Sequence, residues 1–245
     1  MCTVSWIHES DGYHLFFSRD EKLTRKPALE PRPIVRDGIH CLAPIDGDYG
    51  GTWIGTNEFG VSVCLLNGYN KLGARPELRS RGLLVMEAIS LPSIAGLVAH
   101  VGHQDLAVYA TFTLAALEPG KPAVVIEWNG SRKSVIHHPD RHLMLTSSSF
   151  DSGRVGQSRH EVYESLTHSS ESITPELLHG FHEWHGKEPN AYSVCMHRPD
   201  AETVSFSRIC VSPSGSQFFY TPAALCKKAP GVSLKLARSL SSGSN

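Results

Sequence analysis

The chain predicts an α+β protein of packed sheets with helices outside them. Three observations carry this. Runs of β-branched and aromatic residues with period-two patterning open, interrupt and close the sequence, and two pairs of segments with helical apolar spacing lie between them. Neither an internal repeat nor an interior linker divides the 245 residues, a length that one domain commonly spans.

Taken in order, Thr3 to Glu9 and Gly12 to Ser18 read as strands, joined through Ser10-Asp11-Gly12, whose Asp-Gly pair suits a tight hairpin turn. The hairpin brings residues near 19–21 opposite residues near 2–4, so Arg19 and Asp20 are expected to flank the Cys2 thiol and amine. Glu21 to Gly50, rich in proline and charge, reads as a long surface loop of the kind that covers a site. Gly50 to Gly55 and Gly60 to Asn67 form a second hairpin turning at Asn57-Glu58-Phe59-Gly60. The spacing of Leu83, Leu84, Met86 and Ala88, then of Ile94, Leu97, Val98 and Val101, predicts helices over 81–90 and 92–102.

Strands are expected near Leu106 to Phe112, Pro122 to Trp128, Lys133 to His137 and Leu143 to Thr146, with Asn129-Gly130 as a hairpin turn. Helices follow near Gln157 to Thr167 and Pro175 to His185. The second has Thr174 at the N-cap, Pro175 in its first turn and Gly186 just past its end. Ala191 to Met196, Thr203 to Val211 and Gly215 to Tyr220 read as closing strands. The expected division is one domain over 1–228 and a flexible Ser/Gly/Lys-containing tail over 229–245.

Twenty-three Lys and Arg against 24 Asp and Glu give a net charge of -1, which supplies no field to gather nucleic acid or an anionic membrane. No stretch approaches the roughly 20 apolar residues of a membrane span, and no charged-then-apolar leader opens the chain. A cytoplasmic protein acting on a small-molecule substrate or ligand is expected. Six scattered cysteines without a Cys-x-x-Cys pair do not suggest a disulfide framework, and Cys64, Cys195 and Cys210 read as buried reduced thiols. His179, His182 and His185 read as a solvated helix face, because His-Glu-x-x-His is absent. No metal and no cofactor are expected. Arg79 and Arg81 begin a helix or edge a pocket.

Cys2 is the residue with the most chemistry. Removal of Met1 alone would put a thiol and a free α-amine on one residue, pairing a nucleophile with its own base. An α-amine titrates near pKa ~7.7–8.0 and a thiol near ~8.5, so the amine can take the thiol proton near neutral pH and return it to a leaving group.

With Met1-Cys2-Thr3-Val4, Arg19-Asp20-Glu21, Gly50-Gly51-Thr52-Trp53-Ile54-Gly55 and the strand ending in Asn67 in view, the chain resembles the NRDE family, also called the transport and Golgi organisation 2 family. The likeness is strongest over about the first 70 residues. Ser18 stands where the family's name spells Asn. The resemblance implies a four-layer αββα sandwich of the N-terminal nucleophile hydrolase kind.

By similarity to cysteine acylases such as penicillin V acylase and bile salt hydrolase, it also implies roles. Cys2 is nucleophile and, through its amine, base. Arg19 supports the thiolate and Asp20 orients the amine. Asn67 donates to the oxyanion, with Ser148 standing in for a second, mid-chain Asn donor and Arg198 for a late substrate-contacting Arg. The activity implied is hydrolysis of a non-peptide amide C–N bond through a thioester. The alternative is a non-catalytic carrier or trafficking factor for a lipid-like or haem-like ligand on the same fold.

Overall fold

The computed structural model describes residues 2–69, 78–170 and 172–239. Its opening hairpin is β1 (Cys2–His8) and β2 (Tyr13–Lys22). A second hairpin, β3 (Leu29–Arg36) and β4 (Ile39–Ile45), precedes a third, β5 (Ile54–Asn57) and β6 (Ser62–Asn67). Two helices follow, α1 (Arg81–Ala88) and α2 (Ile94–His103). Then come β7 (Phe112–Leu117), β8 (Ala123–Trp128), β9 (Lys133–His138) and β10 (His142–Ser147). Helices α3 (Ser152–His168) and α4 (Pro175–Glu183) lead to β11 (Ala201–Ser212), β12 (Gly215–Thr221) and β13 (Val232–Ala237).

The strands form two antiparallel sheets, ordered β10-β1-β2-β11-β12-β13 and β3-β4-β5-β6-β7-β8-β9. Successive side chains on a strand point to opposite faces, and the inner strands are buried on both, one face against the other sheet and one against helices. Val4, Trp6, Leu15, Phe17, Ile209 and Phe218 meet Leu42, Ile54, Cys64, Leu66 and Ala115 between the sheets. Ile7, Phe16 and Phe206 face Tyr163, Leu178 and Phe181 of α3 and α4. Val63, Leu65, Leu114 and Ala116 face Leu84, Val85, Leu97 and Val101 of α1 and α2. The layers are therefore helix, sheet, sheet, helix, the expected αββα sandwich. Each large apolar side chain so buried contributes about 1.5–3 kcal/mol. Because β1 lies between β10 and β2 and commits Val4 and Trp6 to the inter-sheet core, the start of the chain is held fast.

Four expectations need correction. The supposed surface loop over 21–50 contains the β3–β4 hairpin, turned by Asp37 and Gly38 at φ of 52° and 79°. Its prolines misled because Pro31 and Pro33 sit on β3, an edge strand, where a missing N–H need not break a ladder. The strand expected over 106–112 begins only at Phe112, since Asp105 accepts from the Ala107 N–H and caps a single 3-10 turn over Leu106–Val108. Residues 191–196 form turns around Asn190, whose side chain accepts from the Tyr192 N–H. The segment expected as a flexible tail from 229 instead carries β13, paired along β12 with Val232, Leu234 and Leu236 packed toward the core. Residues 240–245 of that tail lie outside the described residues.

Candidate active site

The β1–β2 ladder sets Cys2 directly opposite Arg19 and, on its other side, opposite Ser147 of β10. Ladder partners share a face, so Cys2 and Arg19 both point toward the second sheet. There they line a cleft of about 900 Å³ whose walls include Asp46, Trp53, Asn67, Tyr69 and Arg81. Cys2 is 6% exposed. Burial raises its thiol pKa above the ordinary value, the nearby Asp20 charge adds to the rise, and the Asp20 backbone N–H and the Arg19 guanidinium pull it back.

Arg19 is fixed from two sides. Its Nη2 donates to Asp46 Oδ2 at 2.7 Å, and its guanidinium carbon lies 4.2 Å from the centre of the Trp53 ring. Arg25 donates to both oxygens of the same Asp46, at 2.8 and 2.7 Å. The carboxylate thus ties the cleft rim to the thiol's neighbour. The Gly-Gly-Thr-Trp segment positions the ring. A Cβ on Gly51 would stand 2.5 Å from the carbonyl carbon of Gly82, and the Thr52 N–H donates to the Gly82 carbonyl at 3.1 Å. Only a glycine lets α1 close against the turn leading into β5.

Asp20 is one residue along from Arg19, so its carboxylate turns to the helix side. There Arg159 Nη2 donates to Oδ2 at 3.0 Å and Thr203 Oγ1 donates to Oδ1 at 2.7 Å. Arg159, wholly buried on α3, also donates to Thr3 Oγ1 at 2.6 Å and to Thr146 Oγ1 at 3.2 Å. Arg19 and Asp20 both lie beside the thiol, Asp20 bonding the sulfur through its backbone N–H while Arg159 and Thr203 bond its carboxylate. Met1, whose removal would create the terminal amine, lies outside the described residues.

On the opposite wall Asn67 ends β6, and its side chain hydrogen bonds with Tyr69. Arg81 donates to the Thr111 carbonyl at 2.7 Å, and burial lowers its pKa from the ordinary value while Tyr69, Cys2 and Glu21 oppose the shift. Arg79 and Arg81 both line the cleft, as an edge to a pocket should.

Two expected contacts fall elsewhere. Ser148 is not among the cleft-lining residues, which take Ser149 in its place. Its hydroxyl donates to the Phe150 carbonyl at 2.5 Å and accepts from the Phe150 N–H at 3.0 Å, closing a turn. Arg198 is also off the cleft, bonded to Asp200 at 2.7 Å with its guanidinium 4.8 Å from the centre of the Phe150 ring. One residue, Arg159, went unweighed. It continues the buried α3 stripe of Val155 and Tyr163, and a lone arginine at that spacing is the signal that was open to reading. Ser18 proves to bond His182 Nδ1 at 2.8 Å, while His182 Nε2 meets Ser5 at 2.9 Å. His182 is fully buried, which corrects the reading of that helix face as solvated.

A sequence model of Transport and Golgi organisation 2 matches residues 1–221. No curated protein matches. Among solved structures, an N-acylethanolamine-hydrolyzing acid amidase orthologue from Caenorhabditis elegans is 13% identical with a TM-score of 0.62, the match covering 85% of this chain and 92% of that one. Penicillin V acylase from Agrobacterium tumefaciens is 12% identical with a TM-score of 0.58, over 96% of this chain and 86% of that one. The C2A mutant of conjugated bile acid hydrolase from Clostridium perfringens is 12% identical with a TM-score of 0.56, over 100% and 99%. These likenesses establish the N-terminal nucleophile hydrolase fold. No helix among the described residues is long and apolar enough to cross a membrane.

Proposed function

The chain belongs to the Transport and Golgi organisation 2 family, and from that premise we propose that its mature form is an N-terminal cysteine amidohydrolase that cleaves a non-peptide amide. One observation carries the reading. Cys2 opens an interior strand at the wall of a large cleft, with a guanidinium as its ladder partner.

In this reaction Met1 is first removed, leaving the α-amine on Cys2. Burial raises the thiol pKa, so little thiolate exists without a base, and the amine supplies one. The sulfur attacks the acyl carbon and the amine takes the thiol proton. That proton passes to the leaving nitrogen as the C–N bond breaks, and a thioester remains. Water, deprotonated by the same amine, then attacks the thioester carbon, releasing the acid and restoring the thiol. Asn67 donates to the oxyanion, a contact worth about 3–4 kcal/mol where such donors have been removed. Asp20, immobilised by Arg159 and Thr203, orients the amine, and Arg19 steadies the charged sulfur.

The test compares the wild type with Cys2→Ser against a library of acyl amides, alongside intact mass of protein isolated from cells. Loss of Met1, turnover by the wild type and none by the variant are expected. Met1 retained in the cellular protein would sink the mechanism. A Cys2→Ala protein with full cellular activity and unchanged ligand binding would favour the carrier instead.

A further inference from the structure

Behind the Asp20 corner, away from the cleft, lies a group of soft donors that the proposed hydrolysis does not use. Cys195 and His197 sit in the turns before β11, and Cys226 in a single 3-10 turn over Leu225–Lys227 after β12. We propose that Cys195, His197 and Cys226 bind a thiophilic divalent cation of the zinc type, with water as the fourth ligand.

The donor atoms already converge. Cys195 Sγ is 3.4 Å from Cys226 Sγ, His197 Nε2 is 3.2 Å from Cys226 Sγ, and Cys195 Sγ is 3.8 Å from His197 Nε2. All three atoms lie within 4.8 Å of one another, the only such cluster of three or more His, Cys, Asp or Glu donors among the described residues. Tetrahedral zinc with ordinary Zn–S and Zn–N bonds spaces its ligands by about 3.8 Å between sulfurs and about 3.6 Å between sulfur and nitrogen. Each pair needs to move by only a few tenths of an ångström. A disulfide asks for more, because the sulfurs are 3.4 Å apart against about 2.05 Å for the bond.

The surroundings fit a histidine ligand. His197 points Nε2 at the sulfurs, and its other ring nitrogen, Nδ1, lies 3.7 Å from Glu202 Oε2. Lys227 holds that carboxylate, donating to both oxygens at 2.7 Å. A carboxylate behind the remote nitrogen fixes the ring of a metal-bound histidine. Cys195 is buried while His197 and Cys226 are half-buried, so the site has an anchored floor and an open side for the ion and its water. Binding exchanges two thiol protons, released to solvent, for one doubly charged ion, leaving the site neutral.

The test uses the full chain carrying Cys2→Ala, so that the cleft thiol cannot contribute. Titrated with Co²⁺ under reducing conditions, it should develop sulfur-to-metal charge-transfer and tetrahedral ligand-field bands saturating at one equivalent, bleached by Zn²⁺. Adding Cys195→Ser and Cys226→Ser should abolish the bands, and Glu202→Gln should weaken binding by roughly 10–100-fold. Bands that persist in the double serine variant, or none at stoichiometric Co²⁺, would overturn the site. If the serine variants fail to fold, retained zinc and a zinc-dependent rise in melting temperature in the Cys2→Ala protein decide. Their absence counts against the site equally.

Discussion

At Cys2, one sulfur depends on whichever residue carries the terminal amine. Cys2→Ala is expected to reduce amide hydrolysis by roughly 10⁴–10⁶-fold, the scale seen when a nucleophile is removed from a working acyl-transfer site, as single-turnover assays can measure. Arg159 acts on stability instead. It and Asp20 have side chains with 0% exposure, so Arg159→Leu strands a buried carboxylate at a cost of about 3–5 kcal/mol. Thermal melting should fall by roughly 10 °C, and a second change, Asp20→Leu, should restore part of the loss. The pairing of Cys2 with Arg19 was legible because a hairpin register dictates it, whereas Asn67 entered through the family resemblance. The partners of Asp20 were not legible, since α3 comes from more than 130 residues later in the chain.

Two elements carry their own expectations. Helix α4 buries His182 between the hydroxyls of Ser5 and Ser18, and burial pushes its pKa from 6.5 down to about 3. The unfolded imidazole therefore binds a proton below pH 6.5 that the folded one refuses until near pH 3, and stability is lost as pH falls through that window. Each proton costs up to about 1.4 kcal/mol per pH unit. His8, His14 and His179 are lowered by burial too, so the measure is a difference. Urea midpoints at pH 7 and pH 4.5 should separate less for His182→Gln than for the wild type. In the turn before β5, Gly51→Ala would drive a methyl into the Gly82 backbone, costing about 1–3 kcal/mol by calorimetry and slowing hydrolysis through Trp53.

Over the whole molecule, the order of strands and helices was readable because apolar periods of two and of about four residues are written locally. What escaped were the parts whose meaning depends on position in the sheet. Prolines are tolerable on the edge strand β3, and the short alternation of Val232, Leu234 and Leu236 becomes a strand only because β12 offers an unpaired edge beside the core. Ending the chain after Gly231 should expose that edge and promote self-association, detectable by light scattering.

The position of β1 also bears on how the protein is handled. Its ladder begins at Cys2, at the cleft wall and between two neighbours, so a peptide joined ahead of Cys2 is attached beside the cavity. An affinity peptide fused at that end withholds the amine that the proposed hydrolysis requires. Preparations tagged there should look inert in amide hydrolysis.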